Sequence, residues 1–479
     1  MEVKKLTDYK FAVEKGQMPG MNRNVVVYAT EQMMERVRGD RTLQQAANVS
    51  TLPGLAGDVL VMPDCHEGYG MPVGGVAAFD SENGIISPGV CGFDIGCGVR
   101  LIKTNLEKEE VGPKINGLAD VLFKNVPSGV GSRLKIGFTE KDFGKICEEG
   151  VSYAIGNGFG FREDEERIEE FGGMKGGDFS KVTKEAKSRG LYQLGTLGAG
   201  NHFLEVQSVE KIFDEKVAKA YGLCQGQVVI MVHTGSRGFG HQTCSDYVRK
   251  LVEYNTKHNL GLVDPELSYA HVGSSEADDY LAAMTCGINY AFTNRQVITD
   301  SIRKGFETVF GKSADALGME ILYDLSHNIV KLEEHTVEGS KKKVYVHRKG
   351  ATRAFPKGHP EVSKVYKAVG QPVLIPGSMT TGSYVLVGTE GAMQETFGSS
   401  CHGAGRVMSR HQAIREIPVS RTFEELRKKN VEIRIKTRKL VSEEAEWAYK
   451  KVDDVVDVVE KAGIARIVAR CAPMAVIKG

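Results

Sequence analysis

Apolar residues in this chain fall mostly in short runs closed by glycine or proline, with few long periodic stretches. Residues 30–49 carry a helical pattern, with Thr30 at a capping position, Met33, Met34 and Val37 as an apolar stripe, and a break at Gly39. The segment GDVLVMPDCHEGYGMPVGGVAAF (57–79) predicts short strands joined by tight loops, and a further strand is expected over 99–103. QVVIMVHTGSRGFGH (227–241) opens on a continuous apolar run, which predicts a strand buried on both faces with His233 at its C-terminal end. Amphipathic helices are expected within 106–190, where REDEERIEE (162–170) reads as a solvated helix, and over 265–310, where Asn294-Arg295 is an internal polar pair. An apolar segment (319–335) carries His327-Asn328, 346–359 reads as a basic loop, and 371–379 as strand followed by a glycine loop. Thr422 and Glu425 have the spacing of a capping box, and an amphipathic helix is expected around 443–462 with Trp447 and Tyr449 early in it. No repeats, low-complexity tracts or Pro/Ser linker divide the chain. The expectation is α+β: one large composite domain over 1–479, mixed sheets flanked by helices.

Composition removes several classes. A chain of 479 residues with 41% hydrophobic and 26% charged residues can bury a large core and is not globally disordered. No apolar run approaches the roughly 20 residues of a membrane span, and the N-terminus has no apolar signal core. Nine scattered cysteines fit reduced thiols in a cytoplasmic protein. The absence of a coiled-coil pattern or swapped tail favours a monomer. Net charge of +1 says nothing of nucleic acid, but residues 401–440 hold 11 Lys/Arg against 4 Glu, a local basic stretch.

The candidate chemistry centres on CHGAGR (401–406). A histidine followed by Gly-Ala-Gly has little bulk beside it, so His402 is a candidate nucleophile or metal ligand. In PGVCGFDIGCGVR, Asp94 and Cys97 stand three apart in a glycine-dense loop and can turn toward one ion, while a thiolate can bridge two. His202, His233 and His327 each adjoin a short apolar run. Five N/O/S donors exceed one tetrahedral ion and suit a pair clamping a phosphoryl group. Donor type leaves Zn, Mn and Co open. Asp64 and His66 share a loop as supporting or substrate-facing candidates, and the loop after His233 offers N–H groups and Arg237 to a phosphate. The residues alone indicate a metalloenzyme acting on phosphates.

The runs PDCHEGYGMPVGGVAAF, PGVCGFDIGCGVR, QLGTLGAGNHFLE, HTGSRGFGH, DLSHNI, HRKGATRAFP, PGSMTTGSYVL, HGAGR and the terminal AVIKG resemble, in order, those of the RtcB family of GTP- and manganese-dependent RNA ligases. The resemblance runs from about residue 20 to the end and implies an RtcB-like fold. It implies two manganese ions on Asp94, Cys97, His202, His233 and His327, with Cys97 bridging, and guanylylation of His402 by GTP. It places GMP along Asn201, His202, Phe203, Leu204, Glu205, His327, Asn328, Pro376, Gly377, Ser378, Met379, Ser383, His402, Gly403, Ala404, Gly405, Tyr449 and Lys478. Asp64 falls close to the catalytic site, and Arg189, Arg237 and Arg410 where RNA phosphates are gripped. The implied partners are RNA (tRNA halves and broken RNA ends) and the activator archease. Lys357, Trp447 and the stretch 270–280 depart from the family pattern without touching the expected ligands. Two other readings are a dinuclear phosphoesterase acting on RNA ends and a non-catalytic RNA-binding protein.

Overall fold

The computed structural model describes residues 1–134 and 137–479. Its strands gather into two large sheets with helices around them, an α+β architecture as expected. In the seven-stranded sheet, Lys4–Thr7, Lys10–Val13, Val25–Tyr28, Val59–His66, Val73–Asp80, Ser340–Lys349 and Asn328–Val337 lie in that order. In the eight-stranded sheet the order is Glu320–Ser326, Gly98–Glu107, Gln227–Thr234, Phe203–Ile212, Ala465–Lys478, Ser383–Gly388 and Pro372–Ile375. Glu432–Ile435 joins Ala465–Lys478 in parallel. His327 is the single residue between Glu320–Ser326 and Asn328–Val337, so the chain passes from one sheet to the other through it.

Gln227–Thr234 is buried at every position, as its unbroken apolar run predicts. Antiparallel pairing on both sides sets Val99 and Phe203 opposite His233. The N-terminal ends of the two flanking strands therefore meet the C-terminal end of the central one. Cys97 stands just ahead of one flanking strand and His202 directly precedes the other, so both arrive at the same rim as His233. Ser326 pairs with Gly98, and this brings the next residue, His327, to that rim as well.

The helix Ser275–Phe310 starts where the Ser274 side chain accepts from Ala277 N–H and ends at left-handed Gly311. Its buried middle is partly polar because it serves the loops around the rim. Asn294 accepts from the N–H groups of Gly195 (2.7 Å) and Thr196 (3.2 Å) and donates to the carbonyls of Thr196 and Gly235. Arg295 donates to the carbonyls of Gly96 (3.0 Å) and Thr234 (2.8 Å) and, with Arg100, pairs with Asp324; all three charged side chains are fully buried.

Four local expectations are corrected. REDEERIEE forms short 3₁₀ turns, and two of its carboxylates are buried: Asp164 meets Arg303 through two 2.7 Å bonds, and Glu169 meets Lys331 and Arg353. The basic stretch from 346 supplies the end of Ser340–Lys349 and the strand Ala351–Arg353, because Arg348 and Arg353 find buried carboxylate partners. Thr422 lies inside the helix Val419–Lys428, which starts after Pro418, and caps nothing. The last helix begins only at Val452, while Trp447 sits in a 3₁₀ turn and Tyr449 in extended backbone. The 30–49 pattern is two helices, Glu31–Gly39 and Thr42–Val49, parted after Gly39. No helix among the described residues is long and apolar enough to cross a membrane.

Candidate active site

At the shared rim the donors converge. Cys97 Sγ lies 3.4 Å from the Nε2 atoms of both His202 and His233, His233 Nε2 lies 3.4 Å from His327 Nε2, and His202 Nε2 lies 3.0 Å from Asp94 Oδ2. The loop that aims Asp94 and Cys97 needs Gly96, whose φ is +69° and whose Cβ would meet the long helix at Ala291 and Ile288. His202 Nδ1 faces the Leu197 carbonyl at 3.1 Å and His233 Nδ1 the Asn201 carbonyl at 3.0 Å. Donation there leaves each Nε2 lone pair directed into the cluster.

Two overlapping sets could each hold an ion: Asp94, Cys97 and His202, and Cys97, His233 and His327. Burial pushes all three imidazoles below their ordinary range and so keeps them neutral. Burial would raise the Asp94 carboxyl too, but His202, when it carries a proton on Nε2, and Arg237 outweigh it and hold it at about 2, a proton whose place a bound cation takes. Burial and Asp94 push the Cys97 thiol up, a cost that a bound cation reverses. A carboxylate, a thiol and three imidazole lone pairs packed this closely repel one another unless a positive charge lies among them. The donor set therefore fits divalent metal.

His402 stands beside this cluster, its ring 4.8 Å from the His327 ring. Its Nδ1 is 2.6 Å from Oδ2 of the fully buried Asp64, and its own N–H donates to the same oxygen at 2.9 Å. Burial alone would raise the Asp64 carboxyl, but His402 and Lys450 hold it below its ordinary value. Nε2 is then the nitrogen left to react. Of the glycines after His402, Gly405 has a definite steric reason: at φ +74° its Cβ would fall 1.9 Å from the Asp64 carbonyl oxygen. Arg406 is not loose charge, because it bonds Glu444 (3.0 Å) and the Tyr449 hydroxyl (2.9 Å).

A cleft of about 1220 Å³ runs from the donors past His402. Glu205, Pro376 to Met379, Glu444, Tyr449 and Lys478 wall it. Asn201, Phe203, Asn328 and Gly403 to Gly405 also line it. Leu204 packs into the core on the other face of its strand, and Ser383 stands behind the Gly377 loop, accepting from its N–H at 3.3 Å. Glu444 takes the Lys478 ammonium at 2.8 Å, and Lys478 also bonds the Gly200 carbonyl at 3.0 Å. Glu444 was missed by sequence reasoning, since nothing local sets it apart from its acidic neighbour Glu443. Burial raises the Glu205 carboxyl to about 7 against the opposing pull of Gln207 and Lys478.

The three arginines differ in setting. Arg237 starts the helix Arg237–Lys257 in left-handed backbone (φ 57°), with its guanidinium against Gly198 and 3.1 Å from His202 Nδ1. Arg410 reaches Asn201 Oδ1 at 3.3 Å from the far side of the Gly198–Gly200 turn. Arg189 is half-exposed on the helix Lys184–Gly190, paired with Glu185.

A buried N/O/S cluster, a histidine oriented by a carboxylate and a deep adjoining cleft define an enzyme site built for a metal-assisted reaction on a polyanion. The profile described as "tRNA-splicing ligase RtcB" matches residues 45–479. The tRNA-splicing ligase RtcB of Thermococcus kodakarensis is 55% identical over 95% of this chain and 94% of its own length. The proteins of the same description from Archaeoglobus fulgidus (50% identical; 100% of this chain, 99% of its own) and Methanococcus maripaludis (49%; 99% and 100%) align end to end. The chain belongs to the RtcB family.

Proposed function

We propose that this enzyme joins RNA ends bearing a 2′,3′-cyclic phosphate or 3′-phosphate to 5′-hydroxyl ends, using GTP through a covalent His402–GMP intermediate. The observation that carries the reading is the His402–Asp64 pair beside the donor cluster, with His402 lining the cleft. His402 Nε2 attacks the α-phosphate of GTP, an N–P bond forms and pyrophosphate leaves. Asp64, ionised below the ordinary carboxylate range, offsets the positive charge that grows on the ring. Asp94, Cys97 and His202 would hold one manganese ion and Cys97, His233 and His327 a second, a pair that when bound neutralises phosphoryl oxygens and helps open a cyclic phosphate.

The GMP passes from nitrogen to an oxygen of the RNA 3′-phosphate, giving RNA(3′)pp(5′)G. The 5′-hydroxyl of the second strand then attacks the 3′-phosphorus and GMP departs. Guanine is read within the cleft by Lys478 and Glu205, lining residues that offer a donor and a carboxyl for its O6 and N1/N2 edge, with Tyr449 beside it. Arg189, Arg237 and Arg410 hold RNA phosphates, and the substrates are tRNA halves and other broken RNA. Residues 1–479 act as one composite catalytic domain, since both sheets supply the site, and nine unpaired cysteines support a reducing cytoplasmic setting.

Joining of a 3′-phosphate strand to a 5′-hydroxyl strand tests this directly. Product that requires both GTP and Mn²⁺ is expected. Release of free phosphate with no joined strand would make the enzyme a phosphoesterase.

A further inference from the structure

One wall of the cleft carries aromatic side chains that the steps above leave unused. Tyr69 is 67% exposed and its ring lines the cleft. It meets Phe93 edge to face at 5.9 Å between centroids, and Phe93 meets His241 at 5.5 Å. All three line the cleft.

The shelf is held rigidly although it faces solvent. Buried Gln45 clamps Gly68 from both sides, donating to its carbonyl at 2.6 Å and accepting from its N–H at 3.0 Å. Gly70 lies against the chain at Glu266, where its Cβ would come within 3.1 Å of the carbonyl oxygen. The buried ammonium of Lys349 donates to the Tyr69 carbonyl. Tyr69 is thus presented on a fixed backbone with only its ring torsions free, so covering it costs little entropy. A flat, exposed aromatic beside a buried cation and a phosphate-handling centre is the arrangement that stacks the bases of single-stranded nucleic acid.

Position selects the strand. Gly350, next to Lys349, is packed so closely on His402 that its Cβ would lie 3.0 Å from the ring's Cε1. The shelf is therefore joined through two consecutive residues to the wall of the nucleophile. The phosphate that receives GMP has to reach His402, and the nucleoside carrying it lies within one nucleotide of that point. We propose that Tyr69, backed by Phe93 and His241, stacks the nucleobase of the nucleotide bearing the 3′-phosphate. This rests on the RNA-ligase reading and adds a base subsite to it.

The test measures binding of a 3′-phosphorylated single-stranded oligoribonucleotide by fluorescence anisotropy, in Mn²⁺ without GTP, against the same strand with an abasic 3′-terminal residue. Tyr69→Ala is expected to raise Kd about tenfold to a hundredfold for the intact strand. The abasic strand is expected to lose a like factor on the wild-type enzyme and nothing further on Tyr69→Ala, while Tyr69→Phe keeps wild-type affinity. An equal loss for both strands on Tyr69→Ala, or no loss at all, would overturn the subsite. A loss that instead follows an abasic residue at the 5′-hydroxyl end of a second strand would overturn the strand assignment. Wild-type enzyme is assayed alongside for its GMP adduct from GTP. Failure there sinks the ligase reading, whatever the anisotropy shows.

Discussion

His402 and Asp64 are locked to each other twice: the imidazole Nδ1 stands 2.6 Å from the buried carboxylate, and the His402 N–H donates to the same oxygen at 2.9 Å. One carboxylate thus fixes both the ring and the backbone that carries it. Asp64→Asn keeps the volume and removes the charge. Transfer of GMP to the enzyme is expected to slow on the order of a hundredfold, measured as single-turnover labelling at saturating GTP. An unchanged rate would leave Asp64 with a purely structural role.

Cys97 belongs to both three-residue donor sets, whereas His327 belongs to one. Cys97→Ala should therefore abolish binding of both ions, and His327→Ala should spare the Asp94–Cys97–His202 set. Calorimetric titration of the stripped protein with Mn²⁺ is expected to give two sites for wild type, one for His327→Ala and none of comparable affinity for Cys97→Ala. Saturating Mn²⁺ should also raise the unfolding temperature, since about 2.7 kcal/mol is gained at a hundredfold excess over Kd.

Glu205 predicts a pH dependence of stability. Its carboxyl is raised from 4.5 to about 7 by burial, so the folded state binds the proton more tightly than the unfolded chain. Below about pH 4.5 both states are protonated and the carboxyl costs nothing. Stability falls as pH rises between 4.5 and 7, and the full penalty is present above 7. Glu205→Gln should accordingly stabilise the protein at pH 8 by up to about 3 kcal/mol and leave it unchanged at pH 4. Urea unfolding at the two pH values measures the difference.

Asp324 is the sole carboxylate bonded to both Arg100 and Arg295 among the described residues, and all three are fully buried. Asp324→Ala leaves two interior guanidiniums without their counter-charge, and a loss of roughly 3–5 kcal/mol is expected by denaturant unfolding. Arg295 also holds the Gly96 and Thr234 carbonyls, so the same variant should weaken Mn²⁺ binding without touching a ligand.

Much of the site was legible because its signals are local. The unbroken apolar run 228–232 announced a doubly covered strand, and the Asp94–Cys97 spacing with three histidines at strand ends announced the cluster. What stayed hidden depends on partners distant in the chain. Asp164 meets Arg303 and Glu169 meets Lys331, each across more than a hundred residues, so REDEERIEE carries the composition of a solvated helix and the role of buried counter-charge. Arg353 reads as a loop residue for the same reason, its partner being Glu169, while the carboxylate that lets Arg348 enter a strand is Glu333 on the neighbouring strand. Glu444 is legible only once folding sets it between Lys478, Arg406 and Tyr449.

The ligase chemistry turns on a covalent bond from GMP to His402. Incubation with α-phosphate-labelled GTP and Mn²⁺, followed by peptide mapping, tests it most directly. One acid-labile, alkali-stable label is expected on the peptide containing Cys401 to Arg406, absent from His402→Ala. Label on another residue, or none on well-folded, Mn²⁺-loaded wild-type protein, would contradict it.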